Sequence, residues 1–343
     1  MNARIMAVAG LAAILLAVGA GAADIAIATV PVGDAGNTGE WSGASHGGSG
    51  SDRICGAVDY EFHIGKYEVT AGQYAAFLNA VAGVDSYGLY YTYMWSHPEG
   101  CKIERYAGNG TSSDPYQYRV ASDRANRPVN YVSWGDAARF CNWLHNGQPI
   151  GAQDNSTTED GAYFLGGAIA KEELLAVSRE ADWKWAIPSE DEWYKAAYYD
   201  AATRSYFDYP TSSNSAPGSD MADAAGTNAN YHGTLLPTDS PYYTTLAGQF
   251  QNSESPYGTL DQGGNVWERN EAVIGSYRGL RGGSFHNGAD DLHAAQRQYY
   301  GPTYEVRYVG FRVSEAAPEP ATLSLLALGG LAVLRRRRRR VDR

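Results

Sequence analysis

The spacing of apolar residues along the chain predicts three amphipathic helices. The first begins after Thr70, a side chain that suits the N-cap position, and the second begins after Ser133 in the same way. The third opens at Ser189, which is followed by three acidic residues that favour the positive end of a helix. The apolar residues at helical spacing are Tyr74, Phe77, Leu78 and Val81, then Phe140, Trp143 and Leu144, then Trp193, Ala196 and Ala197.

Strand patterns are fewer and shorter than the helix patterns. Apolar residues alternate through Tyr60–Val69, which predicts a strand. Beyond Tyr206 the chain is rich in Gly, Asn, Ser and Pro, and its strand candidates are Tyr277–Arg281 and Val309–Val313. No linker or internal repeat is visible. We therefore expect one irregular, loop-rich α+β domain with little regular secondary structure over residues 58–314.

The N-terminal end carries a targeting signal. Arg4 precedes an apolar run over Ile5–Ala20 and a small-residue stretch, the pattern of a secretory signal peptide over residues 1–23. The run is too short for a stable transmembrane helix. We expect signal peptidase to remove it, so that the mature chain begins near Asp24 with a Gly- and Ser-rich segment at residues 24–57.

The C-terminal end, residues 315–343, carries a second signal. Pro318-Glu319-Pro320 is followed by an apolar segment over residues 321–334 and by the basic run Arg335–Arg340. Fourteen apolar residues span about 21 Å as a helix, less than a hydrocarbon core of about 30 Å. The three elements resemble the PEP-CTERM sorting tag of Gram-negative bacteria, with an ordinary tail anchor as the alternative. The resemblance implies an exosortase, transient inner-membrane anchoring and delivery to the outer surface or extracellular matrix.

Removing both ends leaves a strongly acidic protein. Eight of the 27 Lys and Arg residues and three of the 38 Asp and Glu residues lie outside residues 24–314, which therefore carry a net charge near −16. Such a surface repels nucleic-acid phosphates and favours cations such as calcium. We expect no nucleic-acid partner.

The three cysteines leave at least one thiol unpaired. An oxidising compartment permits one disulfide, although the sequence does not assign it. Cys141 falls in the second predicted helix and suits a buried position, so Cys55 with Cys101 is the favoured pair.

Six separated motifs occur in order between residues 58 and 313. They are Ile64–Thr70, Pro128–Trp134, Ala186–Trp193, Gly264–Glu268, Leu280–Phe285 and Gly310–Arg312. Together they resemble the formylglycine-generating enzyme, or sulfatase-modifying factor, family. The resemblance implies an irregular α+β fold, distantly related to C-type lectins, with structural calcium. We expect Trp134, Trp193 and Trp267 in the core rather than at a substrate.

Members of that family use two cysteines after an Arg-Gly-Gly-Ser motif to bind copper and convert a substrate cysteine to formylglycine. Aligned on Arg281–Ser284, the corresponding positions here are Asn287 and Leu292, and no cysteine follows Cys141. Neither side chain can be a thiolate ligand. The resemblance therefore implies that copper and formylglycine formation are absent.

Polar residues near the lost cysteines leave two interpretations open. His286 and His293 flank Asp290 and Asp291, residue types that suit zinc, iron or copper(II). A polar loop without metal is the simpler interpretation.

The resemblance also identifies pocket candidates. Ser284 and Arg297 match the family's active-site region, and His286 lies near them in sequence. Arg297 could equally brace the fold. The chain has no Ser-His-Asp triad, phosphate-binding Gly loop or Cys-x-x-Cys motif, so no residue is assigned a catalytic role.

Calcium is the ion that the resemblance implies. The positions that match the family's ligands are Asp261, Gly264, Val266 and Glu268, the middle two through backbone carbonyls. Hard oxygen ligands in a tight turn suit calcium. The alternative is that Asp261 caps a turn and Glu268 forms a salt bridge, for example with Arg269.

A second calcium site would use Asn230, the carbonyl of Tyr231 and Asp239 as the nearest carboxylate. The spacing after Asn230 departs from the family pattern.

Two functions follow from these expectations. The first is a non-catalytic, calcium-stabilised binding or matrix scaffold with an unidentified glycan, peptide or matrix ligand. The second is a metal-dependent oxidoreductase, or another protein-modifying enzyme, that uses residues other than the cysteines. Relatives that form sulfoxides with iron draw metal ligands from an additional domain, and no segment of this sequence resembles one, which favours the scaffold.

Overall fold

The computed structural model describes residues 24–233 and 239–317. The predicted signal peptide, residues 1–23, and the sorting segment from Pro318 onward lie outside the described residues. Within those two ranges, no helix is both long and apolar enough to cross a membrane.

Short strands alternate with short helices, and the fold is the expected irregular, loop-rich α+β type. The α-helices are α1 Ala71–Val81, α2 Tyr93–Ser96, α3 Trp134–His145, α4 Lys171–Ala176 and α5 Glu190–Tyr198. The strands are β1 Thr29–Val32, β2 Glu40–Ser42, β3 Arg53–Cys55, β4 Phe62–Gly65, β5 Ile103–Ala107, β6 Gln117–Val120, β7 Trp185–Ala186, β8 Tyr199–Asp200, β9 Ser205–Tyr206, β10 Trp267–Ile274, β11 Tyr277–Arg281, β12 Gln298–Tyr300, β13 Val309–Gly310 and β14 Ser314–Ala316.

Two four-stranded sheets organise the domain. One has the order β1-β4-β14-β7 and is antiparallel, so that strands from the two ends of the domain lie side by side. The other has the order β12-β11-β10-β13, in which β10 and β13 are parallel. The β10–β11 hairpin leads directly into the loop that contains Ser284, and the chain just before β10 contains Asp261. The second sheet therefore positions both predicted sites.

All three predicted helices form with the expected caps. In each, the cap hydroxyl accepts the N–H of the third helical residue, and that residue's side chain accepts the cap's own N–H. The cap residues are Thr70, Ser133 and Ser189. These local hydrogen bonds explain why the helix starts could be predicted from sequence.

The main core lies between α1 and α3. Phe77 of α1 packs against Phe140 and Trp143 of α3, with ring centroids 5.3 Å apart in both pairs. Phe311 packs on Phe140 from the C-terminal part of the chain, at 5.4 Å. The motif tryptophans Trp134, Trp193 and Trp267 are all buried, as predicted.

The strand predictions are only partly correct. The strand predicted over Tyr60–Val69 is limited to β4, and the one predicted over Val309–Val313 is limited to β13. The strand Tyr277–Arg281 is confirmed as β11. The alternation of apolar and polar residues does not predict β10. The buried residues of this strand include the charged Glu268 and Arg269, which interrupt the alternation.

The favoured disulfide is wrong, since all three cysteines are free and buried. The Cys55 sulfur lies 3.2 Å from Nη2 of Arg281, in a cluster around α5. Cys101 belongs to the separate core between α1 and α3. Burial raises the pKa of the Cys55 thiol to about 11, so it stays protonated and unreactive near neutral pH.

Candidate functional site

Side-chain hydrogen bonds hold the loop in which the two thiols are replaced. The loop leaves β11 through Gly282 and Gly283, whose φ values of 99° and 74° suit glycine. The Ser284 hydroxyl donates to Oδ1 of Asn287 at 2.5 Å, and Nε1 of Trp267 donates to the same oxygen at 2.8 Å. The Asn287 amide therefore stabilises the loop at the first of the two positions.

The second position, Leu292, is filled by hydrocarbon. Its side chain is buried against Tyr209 and Ala229. Its carbonyl accepts the Tyr198 hydroxyl at 3.1 Å. The loop therefore presents an apolar contact here instead of a ligand atom.

The two histidines have separate surroundings. His286 stacks on Tyr308 with ring centroids 5.7 Å apart, and its Nε2 lies 3.3 Å from Nη2 of Arg307. His293 lies 3.7 Å from Asp208 through its Nε2. In the part of the chain that the structure describes, no three His, Cys, Asp or Glu residues are grouped to hold a metal ion. The structure therefore does not assemble the replacement metal centre that His286 and His293 suggested.

Arg297 braces the fold rather than lining a pocket. Its Nη2 and Nε lie 2.7 and 2.8 Å from the two carboxylate oxygens of Glu190 in α5. Arg281 and Arg53 contact the same carboxylate at 2.8 and 2.9 Å. Burial alone would raise the pKa of Glu190, but the three guanidinium groups outweigh burial and lower it to about 2. The interaction ties the segment after the Ser284 loop to α5.

Glu268 is paired with a different arginine from the one suggested by sequence. Nη2 of Arg312 lies 2.6 Å from Oε1, and Nε of Arg312 and Nε1 of Trp193 lie 2.5 and 2.6 Å from Oε2. The proposed partner Arg269 instead donates to backbone carbonyls, including that of Val132 at 3.0 Å. The salt-bridge alternative is therefore confirmed for Glu268, with Arg312 in place of Arg269, because the β10 backbone directs neighbouring side chains to opposite faces.

Two further carboxylates beside Glu268 have no arginine of their own. Asp261 accepts the backbone N–H of Gly248 at 2.5 Å. Glu68 is buried, and neither of its carboxylate oxygens has a hydrogen-bond partner among the described residues. Burial, together with Asp261 and Glu268, raises the pKa of Glu68 well above its usual range, and burial raises the pKa of Asp261 to about 6. Such a cluster requires protons or a cation to neutralise it.

The oxygen donors at this position fit calcium. The carbonyls of Gly264 and Val266 accept no loop or side-chain hydrogen bond within the described residues, so both are available as ligands. Asp261 and Gly264 adopt positive φ values of 59° and 82°, so the backbone turns tightly here. Sequence analysis missed Glu68, which lies between Tyr67 and Val69 in the first of the six motifs, Ile64–Thr70. Hard carboxylate and carbonyl oxygens are the ligands calcium prefers.

The second predicted calcium site has fewer free oxygen ligands than the site at Asp261. Oδ1 of Asn230 is buried without a hydrogen-bond partner in the described residues, which suits a ligand atom. The carbonyl of Tyr231 accepts the N–H of Gly233 at 2.9 Å. Oδ2 of Asp239 lies 2.6 Å from Nη1 of Arg127, so this carboxylate already has a counter-ion.

Two cavities outside the Ser284 loop share part of their walls. The larger, of about 760 Å³, has Tyr60 and Trp183 in its wall, and the smaller, of about 310 Å³, has Trp134. Arg179 and Glu271 line both cavities. Sequence analysis missed Arg179 and Glu271 because neither residue lies in one of the six motifs.

Comparison with known proteins identifies the domain and the tail. Residues 56–317 match the family described as the sulfatase-modifying factor enzyme 1-like domain. Residues 316–340 match the PEP-CTERM protein-sorting motif. No curated protein sequence matches the chain.

Solved structures share the fold at low sequence identity. The structure described as CarF is 20% identical, with a TM-score of 0.50 over 85% of this chain and 99% of that chain. Treponema denticola variable protein 1 is 17% identical, with a TM-score of 0.51 over 86% of this chain and 97% of that chain. This chain therefore belongs to the sulfatase-modifying factor enzyme 1-like domain family and carries a PEP-CTERM motif that marks it for export to the cell envelope or surface.

Proposed function

We propose that this protein is a non-catalytic, calcium-stabilised scaffold that binds a glycan, peptide or matrix ligand outside the cell. The observation that carries the proposal is the loop after β11, where Asn287 is bonded to Ser284 and Trp267 and Leu292 is buried. The polar groups of this loop satisfy one another, so the loop is built for rigidity rather than for redox chemistry.

Calcium is the second part of the proposal. Asp261 and the carbonyls of Gly264 and Val266 would hold the ion, with Glu68 as an additional carboxylate in the same region. Bound calcium would supply the positive charge that the buried carboxylates lack. The residues themselves would then join the turn before β10 to the segment before α1. The second site at Asn230, Tyr231 and Asp239 would require Asp239 to leave Arg127.

The proposed route to the cell surface uses both ends of the chain. Signal peptidase would remove residues 1–23, and an exosortase would process the tail after transient anchoring in the inner membrane of a Gram-negative cell. β14 ends at Ala316, before Pro318, so the domain's sheet is complete before the sorting triplet begins. The net charge near −16 of residues 24–314 disfavours nucleic acid as the ligand.

Elemental analysis of the purified mature protein tests the calcium scaffold. After dialysis against metal-free buffer, we expect about one bound calcium per chain and only traces of copper and iron. A chelator should lower the melting temperature and added calcium should restore it, because an ion bound only to the native state stabilises it by about 2.7 kcal/mol at one hundred times its Kd.

The matched variants are Asp261→Asn, which removes a proposed ligand charge, and Asp290→Asn, which alters an exposed carboxylate outside the site. Asp261→Asn should reduce the calcium-dependent shift, and Asp290→Asn should leave it unchanged. Copper or iron at one ion per chain would contradict the non-catalytic scaffold and favour the alternative function, a metal-dependent oxidoreductase.

A further inference from the structure

The cavity of about 310 Å³ opens between the segment after α4 and the β10–β11 hairpin. Its rim is exposed at Ala176, Ser178 and Val273, whereas Trp134 and Arg278 in its wall are buried. It shares no lining residue with the Ser284 loop or with the proposed calcium site. A concave space of this size, lined by both apolar and polar side chains, lies at the lower end of the range of small-molecule sites.

Two hydrogen-bond donors on side chains that line the cavity have no acceptor. Nε1 of Trp134 and Nε of Arg278 are buried, and neither has a hydrogen-bond partner among the described residues. Both side chains are nearly inaccessible, at 0% and 2% exposure. An indole N–H and a guanidinium N–H can only donate, so the missing partner must be an acceptor. Buried donors in native proteins nearly always have one.

The positive charge of Arg278 also lacks a counter-ion among its hydrogen-bond partners. Its Nη1 donates to the carbonyl of Glu271 at 2.7 Å, and its Nη2 donates to the carbonyls of Leu174 and Val177 at 2.7 and 2.6 Å. These acceptors are neutral. The guanidinium lies 3.8 Å from the centroid of the Trp134 ring, which keeps the two unpaired donors close together. Burial lowers the pKa of Arg278 to about 10, consistent with too little negative charge around it.

The carboxylate in the described cavity wall, Glu271, serves other partners. The Tyr163 hydroxyl and Nε of Arg179 donate to Oε1 of Glu271 at 2.5 and 2.8 Å. Arg179 also pairs with Glu192 through both Nη atoms, at 2.7 and 2.8 Å. Arg179 therefore holds both carboxylates by direct contact, and Arg278 is the arginine of the described cavity wall that has no carboxylate hydrogen-bond partner.

We propose that this cavity binds a small organic carboxylate. Small side-chain shifts would expose Nε of Arg278 and Nε1 of Trp134 to the cavity, where the carboxylate would accept hydrogen bonds from both. Its apolar part would lie against Leu175, Val177 and Val273. An anionic acceptor matches the charge of the guanidinium better than a neutral carbonyl does, and charge-assisted hydrogen bonds are the stronger kind. The site does not depend on the calcium scaffold.

Nuclear magnetic resonance of the ¹⁵N-labelled mature protein tests the site. The probes are acetate, butyrate and benzoate, with benzamide as a neutral match for benzoate. At least one acid should shift the indole N–H signal of Trp134 in a saturable way, and benzamide should bind at least tenfold more weakly than benzoate. The indole signal of Trp193, which donates to Glu268, should not move. The Trp134→Phe variant lacks this indole group, so the signal that disappears from its spectrum is assigned to Trp134.

Two variants separate binding from folding. Arg278→Gln removes the proposed anion partner and should abolish the saturable shift. Because Arg278 also holds the carbonyls that follow α4, a second variant, Ser178→Phe, blocks the exposed rim without changing the buried donors, and should weaken binding at least tenfold. Ser113→Phe, at an exposed position outside the cavity, is its control. The proposal is overturned if none of the three acids shifts the Trp134 signal, or if the shift persists in both variants.

Discussion

At the scale of single residues, the buried carboxylates near the two predicted sites fall into two groups. Glu190 and Glu268 have arginine partners, and the guanidinium groups around Glu190 lower its pKa to about 2. Glu68 and Asp261 have none, and burial pushes both toward the protonated form. The first group therefore braces the fold, and the second is suited to a cation.

The stabilisation by calcium should weaken as the pH falls through about 6. Burial raises the pKa of Asp261 to about 6, whereas an Asp in the unfolded chain titrates near 4. Between these values the calcium-free native state binds more protons than the unfolded state, so its stability falls as the pH rises. Calcium needs the ionised carboxylate, so the melting-temperature difference between calcium and chelator should be large at pH 7.5 and small at pH 5. Thermal unfolding over this range measures it, and a pH-independent difference would argue against Asp261 as a ligand.

Glu190→Gln should lower the free energy of unfolding by about 3–5 kcal/mol, because it leaves Arg281 and Arg297 buried without their shared counter-ion. Urea unfolding at pH 7 measures the change. The control is Glu104→Gln, whose partner Arg119 is 63% exposed, and which should cost less than about 1 kcal/mol. Equal effects of the two substitutions would refute the bracing role.

The same contact predicts an acid limit for the protein. The pKa of Glu190 is lowered to about 2, so its stabilising contribution is fully present above its unfolded pKa near 4. It should be lost as the pH falls from about 4 towards 2. The stability difference between wild type and Glu190→Gln should shrink over that range.

At the scale of elements, the three longest helices were predictable, whereas only one of the three predicted strands, β11, kept its predicted bounds. A helix satisfies its backbone hydrogen bonds locally, so caps such as Thr70 and Ser189 mark its start within a few residues. A strand needs a partner that is distant in sequence, and Ile64 of β4 pairs with Ser314 of β14. The length of β4 is therefore set by the far end of the domain rather than by its own alternation.

Thr70→Ala should destabilise the domain by about 1 kcal/mol, because the Thr70 hydroxyl accepts the N–H of Gln73 at the start of α1. The matched control is Thr92→Ala at the start of α2, where the side chain makes no capping hydrogen bond. That substitution should change the free energy of unfolding by less than about 0.5 kcal/mol. Urea unfolding measures the free energy of unfolding of both variants. Similar losses in the two would mean that the Thr70 cap does not stabilise the domain.

At the scale of the whole molecule, the sheet that contains β14 joins the two ends of the domain. β14 pairs with β4 and with β7, and its last residue is Ala316. The matched sorting motif covers residues 316–340, so the tail continues directly from this strand. Processing beyond Ala316 would leave the sheet intact.

Replacing Pro318 and Pro320 by alanine should block processing, because it removes the sorting triplet while leaving the apolar and basic segments in place. The variant should remain with the membrane fraction and retain the mass of its tail, whereas the wild type should appear in processed form. Pro98→Ala, at an exposed position in the domain, is the control. Mass spectrometry measures whether the tail is retained, and cell fractionation measures the association with the membrane. Normal processing of the variant would contradict exosortase recognition of the triplet.

The sequence by itself determined the family, the C-terminal sorting motif, the starts of α1, α3 and α5, and the turn that contains Asp261, because short runs of contiguous residues encode each of them. Only the tertiary structure decided that Glu268 pairs with Arg312, that Glu68 joins Asp261, and that the cysteines stay apart. Ion pairs and cavities depend on which distant segments meet, and the energy of each contact depends on its burial. Local sequence patterns show neither which distant segments meet nor how deeply a contact is buried.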